Sequence, residues 1–250
     1  MENTRKNENE RGRYEMKGEN FIKKEYFESI LSTNDYAKER RAERQNLWIL
    51  AKRQTAGRGT KGRSFSSQEG GLYITALLFY ERFLAKDAFK IMQKAAAAVC
   101  ETLAHFGVAP KIKWPNDIYV NGKKICGILI ENTFSGTFVS SSIVGIGLNV
   151  QNDLEEELRF IATTLQKETG KAFPLEEVEE KLFSHFFQEG IERRYASYLG
   201  WLGERAILLV GDKSQEVTLL SVDEQGNLLV ETEQGKLQVS AGEVSLKIQS

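Results

Sequence analysis

Between residues 85 and 106, apolar side chains return at three- and four-residue intervals: Ala88, Phe89, Met92, Ala95, Ala96, Val99, Leu103 and Phe106. That periodicity makes one long amphipathic helix, whose apolar stripe must be buried against a partner. The chain offers strands for the purpose. LWILA (47–51) and LYITALLFY (72–80) precede the helix as short apolar runs. KIKWPNDIYVNGKKICGILIEN follows it and reads as two strands joined at Asn121-Gly122, a turn pair that accepts positive φ. TFVSSSIVGIGLNV is a further strand. Ser32 or Thr33 can cap a helix running through Asp35 to about Arg44, and two more helices are expected over 155–168 and 175–198. The layout is an α/β domain of mixed sheet and helices.

The ends differ from this middle. Residues from Met1 to about Lys24 are dense in Glu, Lys, Arg and Asn. They can bury too little surface to offset their ordering entropy, so 1–25 reads as a charged, disordered tail. It is too short for a helix-turn-helix domain. The last fifty residues hold five short runs, AILLV, EVTLLSV, NLLVET, KLQVS and EVSLKI, separated by turns. That spacing suggests a small β-barrel. Three parts result: the tail over 1–25, an α/β domain over 26–200, and a small domain over 201–250.

Composition excludes several classes. Among 250 residues, 28% are charged and the formal net charge is -1, which places a general nucleic-acid binder behind other readings. Two cysteines, Cys100 and Cys126, lie far apart and read as reduced thiols of a cytoplasmic protein. Two histidines, His105 and His185, give a histidine-based zinc site almost nothing to build from. No apolar run reaches the roughly 18 residues of a membrane span, and no secretory signal opens the chain.

The chemistry-bearing segments are loops and strand ends. In GRGTKGR (57–63), three glycines allow close backbone approach to an anion, while Arg58, Lys61 and Arg63 add positive charge. The P-loop pattern is not met, and taken alone the segment is equally a flexible basic surface loop. In KWPND (113–117), Pro115 fixes the backbone while Asn116 and Asp117 present polar groups at a bend. Lys123 and Lys124 enter the apolar strand ICGILIEN, where a lysine can be held as a fixed cation at a pocket wall. GIGLN (145–149) ends a strand with glycines that a ligand or another backbone could approach.

In chain order these segments resemble the biotin–protein ligases. The match consists of STN at Ser32–Asn34, QTAGRGxxGR at Gln54–Arg63, LY at Leu72–Tyr73, KWPND, K-x-x-GIL-x-E at Lys124–Glu131, GIGLN, and GEVSL at Gly242–Leu246. The resemblance implies a catalytic domain like that of class II aminoacyl-tRNA synthetases, followed by an SH3-like barrel. It implies a biotin pocket bordered by Ser32, Thr33, Asn34, Gln54, Arg58, Gly59, Thr60, Lys124 and Gly127. Gly57, Arg58, Lys61, Arg63, Asn116, Asp117, Lys124 and Asn149 would bind the ATP or adenylate, and Arg58, Lys124 and Asp117 would act in catalysis. The substrates implied are biotin, ATP with Mg²⁺ carried by the nucleotide and no protein-held metal, and a lysine of a biotin carboxyl carrier protein. No specific DNA and no membrane are expected as partners, and a homodimer stays open.

The resemblance has departures. The family's loop often reads GRGRRGR, whereas Thr60 stands here in place of an arginine. Phe65 stands where Trp is frequent. Two rival readings share features with this one. Lipoate or octanoate ligases and transferases have the same fold, but their R-R-x-S-G-G-G motif is missing. A DNA-binding repressor would need more than a charged tail ahead of the catalytic domain.

Overall fold

The computed structural model describes residues 22–211, 213–241 and 244–248. One mixed sheet contains β1 (Lys23–Phe27), β2 (Leu47–Ala51), β3 (Leu72–Leu84), β4 (Lys111–Lys113), β5 (Asp117–Val120), β6 (Lys123–Ser135) and β7 (Phe138–Leu148). Their order across the sheet is β1-β2-β3-β7-β6-β5-β4, with β1 parallel to β2 and the remaining neighbours antiparallel. Strand alternation divides the side chains between two faces. Leu72, Ile74, Ala76, Val144, Ile146, Leu148, Cys126 and Ile128 point to one face, where α2 (Phe89–His105) lays its apolar stripe with Ala95, Val99 and Leu103 inward. On the other face, α1 (Thr33–Arg40) packs Ala37 against Leu47, Ile49, Leu77 and Ile143. Ser32 caps α1 by accepting from the Asp35 N–H. The helix runs on as a short 3₁₀ turn, Arg41–Glu43, and stops at Arg44 with φ 50°.

Residues 1–21 of the expected tail lie outside the described residues, but its last part is strand. Lys23–Phe27 pairs with β2, and Ile22 is buried. Lys24 is accommodated because its ammonium lies 2.8 Å from Glu179, which also accepts from the Trp48 indole N–H at 2.8 Å. Both charged side chains are nearly sealed, at 3% and 6% exposure. Removing one partner of such a pair costs about 3–5 kcal/mol, so this contact welds β1 to α4 (Leu175–Phe186).

Two expected helices are broken. The 175–198 helix ends at Phe186 and, after Gly190 turns the chain at φ +74°, resumes as a 3₁₀ turn, Ile191–Arg194, and α5 (Tyr195–Tyr198). The 155–168 helix is reduced to a turn at Glu156–Leu158 and to α3 (Leu165–Thr169), capped by Thr164. Between them the backbone is taken by the sheet instead: Lys124 N–H donates to Ile161 O, and Thr163 N–H to Lys124 O, each at 2.9 Å. The KIKWPND segment also contributes a strand more than expected, because β4 and β5 are separate. The Asn121-Gly122 turn joins β5 to β6 with φ 49° and 77°.

The C-terminal runs form a separate antiparallel sheet of five strands, β8 (Arg205–Val210), β9 (Lys213–Val222), β10 (Leu228–Thr232), β11 (Gly235–Val239) and β12 (Val244–Ile248). Their order is β11-β10-β9-β8-β12. Its small core of Ala206, Leu208, Val217, Leu219, Leu228 and Val230 takes in Trp114 from the large sheet.

Candidate functional site

Beside the N-terminus of α1, the face of the large sheet opposite α2 carries glycines on β6 and β7. Register sets Gly147 between Tyr73 and Gly127, and Gly145 between Thr75 and Leu129. A Cβ on Gly145 would stand 2.3 Å from Asn34 Oδ1, and one on Gly147 would stand 2.5 Å from Phe65 Cε1. Neither contact is tolerable, so the glycine spacing of two in GIGLN clears one face of β7 for other groups. The resulting cleft, open to solvent at its mouth, spans about 470 Å³.

One wall of the cleft is a buried polar network. Gln54 Oε1 accepts from the Thr33 N–H at 2.9 Å and from its hydroxyl at 3.0 Å, while Gln54 Nε2 donates to Ser67 Oγ at 2.9 Å. Thr75 Oγ1 lies 2.7 Å from Thr33 Oγ1 and 2.6 Å from Asn34 Oδ1. The Thr33 hydrogen is committed to Gln54, so the single hydrogen of Thr75 faces two acceptors. One of them is therefore open to a donor on a ligand.

The opposite end is charged. Lys124 Nζ lies 2.6 Å from Asp117 Oδ1, and Asn116 Nδ2 donates to Ile128 O at 2.7 Å. At the mouth, Arg58 Nε meets Asp35 Oδ2 at 3.0 Å, and Lys38 meets Glu131 at 2.8 Å. Arg58 is about half exposed. An open ion pair of this kind contributes roughly 0–1 kcal/mol, so an incoming anion can displace Asp35 at little expense.

Ser32, Thr33, Asn34, Gln54, Arg58, Gly59, Thr60, Asn116, Asp117, Lys124 and Gly127 all line the cleft. Three expected positions do not. Gly57 is buried beneath the loop, where a Cβ would meet Phe65 O at 2.4 Å. Arg63 is turned away onto Thr60, donating to its carbonyl at 3.3 Å and its hydroxyl at 3.0 Å. The Lys61 side chain lies outside the described residues. Asn149 is buried at the end of β7, where its Oδ1 accepts from Asn152 Nδ2 at 3.2 Å. The loop amides are also less free than expected, since Gly59 N–H donates to Arg63 O at 2.7 Å.

Phe65, Thr75 and the Asp35 and Glu131 carboxylates were not singled out for the site. Thr75 carried a signal, as a lone polar residue on the ligand face of an otherwise apolar strand. Phe65 was marked only as the position where the family frequently has Trp.

A mixed sheet that clears one face with glycines, between a hydrogen-bonding wall and a pair of cations, defines a ligase-type catalytic domain. The model described as the Biotin/lipoate A/B protein ligase family matches residues 26–149, and the model described as the Biotin protein ligase C terminal domain matches 202–247. The chain belongs to the biotin protein ligase family. It is 30% identical to the biotin--[acetyl-CoA-carboxylase] ligase of Paracoccus denitrificans, over 80% of this chain and 90% of that one. It is 34% identical to the bifunctional ligase/repressor BirA of Bacillus spizizenii over 79% of its length, but spans only 65% of that relative. Among solved structures, the biotin protein ligase from Aquifex aeolicus in complex with biotin and ATP superposes with a TM-score of 0.74 at 31% identity. That superposition covers 93% of this chain and 100% of that one. Among the described residues, no helix is long and apolar enough to cross a membrane.

Proposed function

We propose that this chain joins biotin to AMP at the expense of ATP and passes the biotin to a lysine of a biotin carboxyl carrier protein. The observation that carries this reading is the pairing, within one cleft, of a buried hydrogen-bonding wall with the Lys124 and Arg58 cations. Biotin's cyclic urea brings N–H donors, which suit the acceptor left open by Thr33, Thr75 and Asn34. Its carboxylate tail then extends toward Lys124.

The first step brings a carboxylate to the α-phosphorus of ATP, forming a C–O–P anhydride while diphosphate leaves with its electron pair. Two anions must approach, so fixed positive groups aimed at the developing charge do most of the work. Lys124 and Arg58 are those groups: Arg58 exchanges its Asp35 partner for phosphate oxygen, while Lys124 stays held by Asp117. Asp117 and Asn116 orient Lys124 and the nucleotide side. In the second step the carrier's amine attacks the anhydride carbonyl and AMP leaves, with no protein nucleophile required. The 57–65 loop over the cleft shields the anhydride from water.

Mg²⁺ accompanying ATP would neutralise phosphate charge. Among the described residues no three His, Cys, Asp or Glu side chains converge. This donor set fits an ion held by the nucleotide, with Asp117 the nearest site carboxylate, better than a resident metal. The C-terminal match to a biotin protein ligase domain favours biotin over lipoate as the acid. Exchange of labelled diphosphate into ATP tests the reading. It should depend on biotin and not on lipoate or octanoate, and label should then pass from biotin to a carrier domain. Exchange that ignores biotin would sink the proposal.

A further inference from the structure

A single row of register partners crosses the ligand face of the large sheet: Ala51, Tyr73, Gly147, Gly127, Asp117 and Lys113. Cross-strand partners point to the same face, so Lys113 stands beside Asp117 at the edge of the cleft floor. It is half-buried, and its ammonium lies 5.4 Å from the centroid of the Tyr119 ring. That ring is fixed edge-on against Trp201 of the C-terminal part, with centroids 5.6 Å apart. A ring face positions a cation without neutralising it.

The charge around the cleft is unevenly answered. Arg58 is paired with Asp35, Lys38 with Glu131 and Lys124 with Asp117. Among the described residues, neither Lys113 nor Arg63 has a carboxylate within ion-pair distance. Burial lowers the pKa of Lys113 below that of an ordinary lysine; Asp117 opposes this shift, and the positive charges of Lys124 and Arg63 add to it. Lys113 and Lys124 thus share the single carboxylate of Asp117. A strongly charged anion is the species such an excess would hold.

We propose that Lys113 forms the subsite for the diphosphate released when the carboxylate joins AMP. This rests on the adenylation reading above. As the Pα–O bond breaks, the electron pair goes to the diphosphate oxygen, and the Lys113 ammonium offsets the charge that gathers there. Tyr119 holds that ammonium in place, so the subsite is preformed.

The test is Lys113→Met beside Lys113→Arg. In biotin-dependent exchange, Lys113→Met should raise the KM for diphosphate and for ATP by about tenfold or more, while the KM for biotin moves by less than about twofold. Lys113→Arg should restore most of the diphosphate affinity. A diphosphate KM within about twofold of the wild type overturns the subsite, as does a parallel loss for all three ligands, which would mark a structural role. Calorimetry with inorganic diphosphate alone separates this failure from failure of the parent reading. If the wild type shows no biotin-dependent exchange, weaker diphosphate binding by Lys113→Met still supports the anion subsite, and equal binding dismisses it.

Discussion

Gly145→Ala tests how tightly the cleft is built. The new methyl carbon would lie 2.3 Å from Asn34 Oδ1, 2.9 Å from its Cγ and 3.0 Å from its Nδ2, so it meets the whole amide. Gly145 lies within a strand paired on both sides, to Thr75 on β3 and to Leu129 on β6, and the backbone cannot retreat. The Asn34 amide must therefore move by about 1 Å to reach ordinary contact. That displacement breaks the 2.6 Å contact with Thr75 Oγ1 and the long 3.5 Å bond from Asn34 Nδ2 to Glu131. Overpacking of this kind costs about 1–3 kcal/mol. Thr75 can still donate to Thr33, so the fold loses only part of that amount. The ligand loses more, because the displaced amide fills the space into which a urea would fit. The expected result is biotin affinity weaker by about 10–100-fold, since each 1.4 kcal/mol is a factor of ten. The melting temperature should fall by only about 2–4 °C per kcal/mol of lost stability. Titration calorimetry with biotin and a thermal melt measure the two effects. Affinity within about twofold of the wild type would refute the placement of the urea beside Asn34.

Lys124→Ala should lower biotin-dependent diphosphate exchange by about 10²–10³-fold, the usual effect of removing one preorganised charge. Its circular dichroism melt should be close to that of the wild type, since the Lys124 side chain is partly exposed; near-normal exchange removes Lys124 from the mechanism. Thr60→Arg should slow release of the adenylate, because Thr60 lines the cleft and an arginine there adds a phosphate partner. Release of labelled adenylate no slower than from the wild type contradicts this. Burial lowers the pKa of His185 below its ordinary 6.5, so the folded protein keeps the ring neutral where the unfolded chain takes up a proton. Stability is therefore lost as pH falls below about 6.5. His185→Gln should flatten that slope in urea titrations between about pH 7 and 5. An unchanged slope would assign the acid sensitivity elsewhere.

What could be read from the chain was whatever local pattern alone determines. The α2 stripe, the apolar strands and the Asn121-Gly122 turn follow from periodicity and turn chemistry, and the structure contains all of them. The failures have one cause, which is a partner distant in sequence. KKEYF looks like tail until Glu179, far along the chain, neutralises Lys24. The 155–168 segment looks helical until Lys124 takes its backbone at Ile161 and Thr163. The site divides in the same way. Gln54, Arg58, Asp117 and Lys124 were legible because motif and charge mark them. Asp35 was legible only as an acidic residue in the first turn of a helix, because its contact with Arg58 depends on how α1 and the glycine loop meet. Lys113 belongs to a recognised motif, yet its place beside Asp117 depends on the β4–β5 pairing, of which the sequence shows only the bend at Asn116-Asp117.

That pairing also explains what the second sheet adds to a cleft it does not line. Trp114 is buried in the C-terminal core and donates its indole N–H to Gly226 O at 2.9 Å. Pro115 O accepts from the Tyr195 hydroxyl at 3.0 Å, and Asn116 is tied to Ile128 O. Three consecutive residues are thus anchored to three different parts of the molecule, and Asp117 is the next in line. Asp117 cannot shift without disturbing packing in the C-terminal core, around α5 or along β6. Because Asp117 holds Lys124 at 2.6 Å, the position of that cation is inherited from all three. A charge that need not reorganise as the transition state forms stabilises it more than a mobile one does. On the proposed mechanism, the C-terminal sheet therefore contributes through Trp114, by keeping Asp117 and Lys124 still.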